Sequence, residues 1–89
     1  MKEITLDCRG FLPRSVLHRA MAEALSFPDH YGNNLDALHD CLTAIPEDTC
    51  LIFQNWAYAE EKLGRYADAL RRVLTDSVSE NPRLHIIIE

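Results

Sequence analysis

The stretch Tyr31-Gly32-Asn33-Asn34-Leu35-Asp36-Ala37-Leu38-His39-Asp40-Cys41-Leu42-Thr43 decides how this chain is read. Leu35, Leu38 and Leu42, with Ile45 just beyond, recur at i, i+3, i+7 and i+10, the spacing of one apolar stripe on a helix. The spacing predicts a helix from about Leu35 to Ala44, closed by Pro46. Gly32 permits a tight turn before it, and Asn33 or Asn34 supplies a cap. Asp36, His39, Asp40 and Thr43 fall on the other side of this helix. Asp36 and Asp40 stand four apart and project from one face. A carboxylate in the first turn suits the helix dipole, which accounts for Asp36 without any function. It accounts less well for Asp40, because two like charges at i, i+4 cost roughly 0.2–0.5 kcal/mol and this helix contains no Lys or Arg to offset them. A solvated polar face and a functional acidic face both fit this periodicity.

Reading outward, Lys2 to Asp7 alternates as a strand, with Ile4 and Leu6 on one side. Pro13 suits a first helical turn, and Val16, Leu17, Ala20, Met21, Ala24 and Leu25 then recur at helical spacing up to Pro28. Downstream, Cys50 to Phe53 is a short apolar run of buried-strand type. Trp56 to Leu63 reads as a short helix ended by Gly64. Arg65 to about Glu80 reads as a longer one, with Tyr66, Leu70, Val73, Leu74 and Ser77 inward, stopped by Asn81-Pro82. Leu84 to Ile88 is a last strand. Strand, two helices, strand, two helices, strand predicts an α/β fold, a three-stranded parallel sheet packed with helices in a single domain over 1–89.

Fourteen Asp and Glu against nine Lys and Arg give a formal charge of −5. That balance disfavours direct nucleic-acid binding, which needs a basic face, and favours attraction to cationic proteins. Cys8, Cys41 and Cys50 are odd in number and form no Cys-x-x-Cys pair, so they read as reduced thiols of a cytoplasmic protein. No signal peptide is visible and no apolar run approaches the ~20 residues of a membrane span.

The segment from Tyr31 to Thr43 resembles the signature of the barstar family, Tyr-Gly-x-Asn-Leu-Asp-Ala-Leu-Trp-Asp-Cys-Leu-Thr. Every position fits except His39, which stands in place of Trp. Length, strand positions and the apolar terminal strand agree along essentially the whole chain. The resemblance implies an intracellular bacterial inhibitor of a small basic ribonuclease or nuclease toxin, monomeric when free, with all helices on one side of the sheet. It implies principal acidic contacts at Asp36 and Asp40, a supporting carboxylate at Asp76, and a rim at Asn34, Leu35, Thr43 and Ala44. His30 and Tyr31 match a family pair of tyrosines. Ala44 stands where the family has Gly, and Ile45 where it often has Trp. His39 beside Asp36 and Asp40 carries an expected pH effect, since its protonation weakens the negative face.

Catalysis by His39, Cys41 and Asp36 fails on geometry, because positions two apart on a helix do not face each other. A metal site of His30, His39 and Asp36 lacks any supporting His or Cys spacing. No catalytic residue, metal or cofactor is expected. The remaining alternative is a module of the same fold acting as immunity or regulatory partner of a different toxin or a non-nuclease protein. Asp36 and Asp40 would serve any cationic pocket.

Overall fold

The computed structural model describes residues 1–10 and 14–89. The expectation that Pro13 opens the first helix lies outside them. The elements are β1 (Lys2–Asp7), α1 (Arg14–Leu25), α2 (Leu35–Thr43), β2 (Thr49–Gln54), α3 (Trp56–Leu63), α4 (Arg65–Glu80) and β3 (Leu84–Ile88), with a 3-10 turn at Cys8–Gly10 that the sequence reading did not anticipate. The strands lie in the order β1-β2-β3, and both pairings are parallel. The α/β architecture read from the sequence, with its three-stranded parallel sheet, is the one observed.

The register explains which face is covered. Ile4, Leu51 and Ile86 stand abreast, as do Leu6, Phe53 and Ile88. Leu6, Leu51 and Phe53 of these rows are buried. On the alternate positions, Glu3, Thr5, His85 and Ile87 of the edge strands are exposed, while Cys50 and Ile52 of the central strand are buried and half-buried and stand outside the core cluster. Alternation of side chains across a strand therefore assigns the helices to one face, although parallel sheets are commonly covered on both. The core joins Leu6, Phe53 and Leu84 of the sheet to Leu17, Met21, Leu38, Leu42, Trp56, Leu70 and Leu74 of the helices. Phe53 meets Trp56 edge-on, with ring centroids 5.8 Å apart.

Two helix ends differ from the sequence reading. Pro28 does not end α1. The helix stops at Leu25, where Ser26 takes a left-handed φ of 56° and the Phe27 amide donates back to the Ala22 carbonyl. That bond is the outer one of a Schellman cap, here with serine in the position glycine usually fills. Ala44 is the C-cap of α2 rather than its last helical residue. Gly64 joins α3 to α4 at φ 55° and ψ −125°, a sparsely populated conformation that costs an L side chain on the order of 1–3 kcal/mol.

Candidate functional site

Helix α2 is fixed by contacts within the fold. Leu38 and Leu42 are fully buried beneath it. At its start, the Asn34 side-chain oxygen accepts from the Ala37 amide at 2.8 Å. The Asn34 side-chain amide donates to the Gly32 carbonyl at 3.2 Å, and a Cβ on Gly32 would lie 3.0 Å from that same nitrogen. Gly32 thus makes room for the cap. At the other end, buried Asn81 donates from Nδ2 to the carbonyls of Leu42 and Ile45, at 3.0 and 3.2 Å. The Leu42 carbonyl belongs to the last turn of α2, where regular i+4 partners run out, and Ile45 lies just past the C-cap. Because Asn81 caps α4, the two helices end together.

The outer face of α2 carries Asp36 and Asp40, both exposed. The Asp40 side chain keeps 87% of its accessible surface. Among the described residues, the Lys and Arg ion pairs are Lys2 with Glu47, Arg9 with Asp7 and Arg83 with Asp48. None involves Asp36, Asp40 or Asp76. Arg71, Arg72 and Arg83 lie near Asp76 in sequence but form no ion pair with it; Arg83 reaches Asp48 instead, at 3.9 Å. Arg9, by contrast, holds the Asp7 carboxyl well below the usual carboxylate range through side-chain and backbone hydrogen bonds.

His39 has a partner the sequence reading missed. Its Nε2 hydrogen-bonds the Glu80 carboxylate across the α2–α4 seam, and its Nδ1 lies 3.8 Å from Asp40. The expected neighbours were Asp36 and Asp40, so Glu80 takes the place assigned to Asp36. The Glu80 hydrogen bond, with a smaller contribution from Asp40, raises the His39 pKa above its ordinary value. Asp76 stands one turn before Glu80 on the same row of α4. It shares a shallow hollow with Asp68, Arg71, Arg72 and Thr75.

The remaining residues divide between outward and inward roles. His30 and Ala44 are exposed, and Leu35 is half-buried. The Thr43 hydroxyl is turned onto its own helix, donating to the carbonyls of His39 and Asp40. Tyr31 turns inward too. Its hydroxyl lies 2.6 Å from Nδ1 of buried His18, whose Nε2 meets the Tyr66 hydroxyl at 2.5 Å. Burial, and then the charge of Arg14, lower the His18 pKa. A neutral imidazole has one donor and one acceptor, so one tyrosine hydroxyl donates to the ring while the other accepts from it. The sequence did carry a signal for this cluster. His18 occupies the i, i+3, i+7 row of Met21 and Leu25, where a polar side chain must find partners.

Two hollows flank the acidic face. One of about 480 Å³ opens beside Asp36, lined by Arg14, His18, Asn34, Leu35 and Tyr66, with the Arg14 guanidinium 4.5 Å from the Tyr66 ring centre. The other, about 310 Å³, opens beside Asp40 and is lined by Phe27, Pro28, Ala44 and Ile45. Among the described residues, no group of three His, Cys, Asp or Glu could hold a metal, and no helix is long and apolar enough to cross a membrane. Half-burial pushes the Cys41 thiol pKa up, against the direction a nucleophile needs.

The site is thus a capped acidic helix carried outward on a small α/β fold with a parallel three-stranded sheet. Comparison with known proteins gives its family. Residues 1–88 match the family described as Barstar (barnase inhibitor). The chain is also 40% identical, over the full length of both, to a Bacillus subtilis (strain 168) protein named "Putative ribonuclease inhibitor YrdF". This chain belongs to the barstar family.

Proposed function

We propose that this chain is a ribonuclease inhibitor, and that it works by presenting Asp36 and Asp40 to the cationic active site as stand-ins for RNA phosphates. The observation that carries this reading is the state of those carboxylates. They are exposed on successive turns of a helix locked from behind, and no Lys or Arg among the described residues pairs with either. A ribonuclease cleft concentrates cationic groups to bind phosphate and stabilise developing charge. Carboxylates held rigidly at matching positions take bidentate hydrogen bonds from arginine there, and little ordering entropy remains to be lost. The surplus of acidic residues speeds the encounter.

In this reading Asp76 and the rim residues His30, Tyr31, Asn34, Leu35, His39, Thr43 and Ala44 border the contact. Thr43 meets the partner with its methyl group and lone pairs, since its proton is committed to α2. The three free thiols accord with action inside the cell, where the inhibitor protects against a nuclease. His39, Ala44 and Ile45, in place of two tryptophans and a glycine, set which nuclease fits.

The test is inhibition of a panel of small microbial ribonucleases by the wild type and by Asp40→Ala, at low and moderate salt. Stoichiometric inhibition, weakened by the substitution and by salt, is the expected result. Inhibition of a panel member that Asp40→Ala leaves intact would remove the phosphate-mimic mechanism. Inhibition of none would turn the search to other toxins.

A further inference from the structure

The substitution of His39 for an aromatic residue places a titratable ring inside the acidic face, with its orientation already set. Nε2 is held by Glu80 on α4, so the ring directs Nδ1 toward Asp40, 3.8 Å away. The side chain keeps 32% of its surface. The charged groups around it are acidic on both packed elements: Asp36 and Asp40 on α2, Asp76 and Glu80 on α4. The arginines of α4 nearest in sequence, Arg71 and Arg72, lie two turns or more before Glu80, and Arg83 is turned to Asp48. In the free chain, then, protonated His39 donates its Nε2–H to Glu80 and faces Asp40 with its Nδ1–H.

We propose that His39 is a partner-binding residue acting by exchange: on binding, its Nδ1 proton leaves to solvent and an arginine guanidinium of the nuclease takes the vacated place between Nδ1 and Asp40. This rests on the ribonuclease reading above and names the group that the site takes. Loss of the proton from Nδ1 leaves Nε2–H still donating to Glu80, so the ring does not turn. The freed lone pair is an acceptor beside a carboxylate, and a guanidinium with five donors can serve both. Charge is conserved, because one cation replaces another between the same anions. The raised His39 pKa fits a free state in which that proton is well held. A proton retained in the complex would instead set an imidazolium against a cationic cleft.

The experiment compares wild type with His39→Gln, each bound to a ribonuclease that the wild type inhibits. Calorimetry in two buffers of different ionisation enthalpy near pH 6.5 counts the protons released, and affinity is followed from pH 5.5 to 8. Titration of the nuclease is common to both inhibitors, so the difference belongs to His39. The wild type is expected to release more protons than His39→Gln. Its affinity, relative to that variant, should rise by about three- to tenfold across the range, the size of a shift of half to one pKa unit on binding. Equal proton release, or parallel affinity profiles, would overturn the exchange while leaving inhibition itself standing. Absence of inhibition by the wild type at every pH would remove the ribonuclease reading and the exchange with it. In the free chain, NMR titration of His39 in Glu80→Gln should show a midpoint below that of the wild type; an unmoved midpoint contradicts the Glu80 hold.

Discussion

His18 and His39 show how one small domain uses the same side chain for opposite ends. His18 is buried behind the loop that leads into α2, with both ring nitrogens engaged by tyrosine hydroxyls and a lowered pKa. His39 is on the outward side of α2, among carboxylates, with a raised pKa. Burial decides the first case, because desolvation penalises the charged ring. Neighbouring anions decide the second, because they favour the charged ring. The rear of α2 is thus an uncharged, fully hydrogen-bonded support, and its front is a concentration of negative charge that the fold does not neutralise. Support and the proposed contact face are separated across one helix barely more than two turns long.

If that separation holds, substitutions on the two sides fail in different assays. Asp40→Ala should weaken inhibition most, by about 2–5 kcal/mol, or thirty- to several-thousandfold, as when one partner of a desolvated charge pair is removed. Its urea midpoint should hardly move, since exposed substitutions change stability by about 0.5 kcal/mol or less. A large stability loss would break the comparison. His18→Ala should do the reverse. Loss of a buried ring and of both its hydrogen bonds costs about 2–4 kcal/mol of stability by denaturant titration. The variant that remains folded should still inhibit.

Asn81→Ala removes the side-chain donor from the carbonyls of Leu42 and Ile45 at the end of α2, and should lower stability by about 1–3 kcal/mol. It lies between the two sides in effect, since it shifts the acidic helix as well as loosening it. Asn34→Ala removes the N-cap and should cost about 1 kcal/mol. The smallest effect is the pH dependence of stability, and the two histidines give it opposite signs. The folded pKa of His18 lies below its unfolded value. Its contribution is complete above about pH 6.5 and is lost as pH falls through the lower folded value. The folded pKa of His39 lies above. Its contribution is complete below about pH 6.5 and is lost as pH rises through the raised value. Urea titrations from pH 5 to 8 should therefore flatten on the acid side in a His18 variant and on the alkaline side in His39→Gln. The same change in both would contradict the assignment.

The element order and nearly every boundary were legible, because alternation in β1, the 3.6-residue stripes of α2 and α4, and the stops at Gly64 and Asn81-Pro82 are local signals. The end of α1 was not. Ser26 takes a glycine's conformation there, and the nearby Pro28 is a louder stop. The acidic pair was legible as one face from its spacing alone. Its support was less so, since Asn81 reaching α2, Glu80 reaching His39 and His18 joining Tyr31 to Tyr66 are contacts across elements. Spacing within one helix cannot reveal a partner on another. Only the misplaced polarity of His18 on an apolar row hinted that such a contact must exist.

The most direct test of the central claim is competition at the nuclease active site. A ribonuclease inhibited by this chain would be titrated with it at increasing concentrations of a bound, non-cleavable nucleotide. Occlusion by Asp36 and Asp40 predicts that the apparent affinity falls in proportion to nucleotide occupancy, and that complex formation expels the nucleotide. A ternary complex of nuclease, nucleotide and inhibitor, with affinity unchanged, would contradict it.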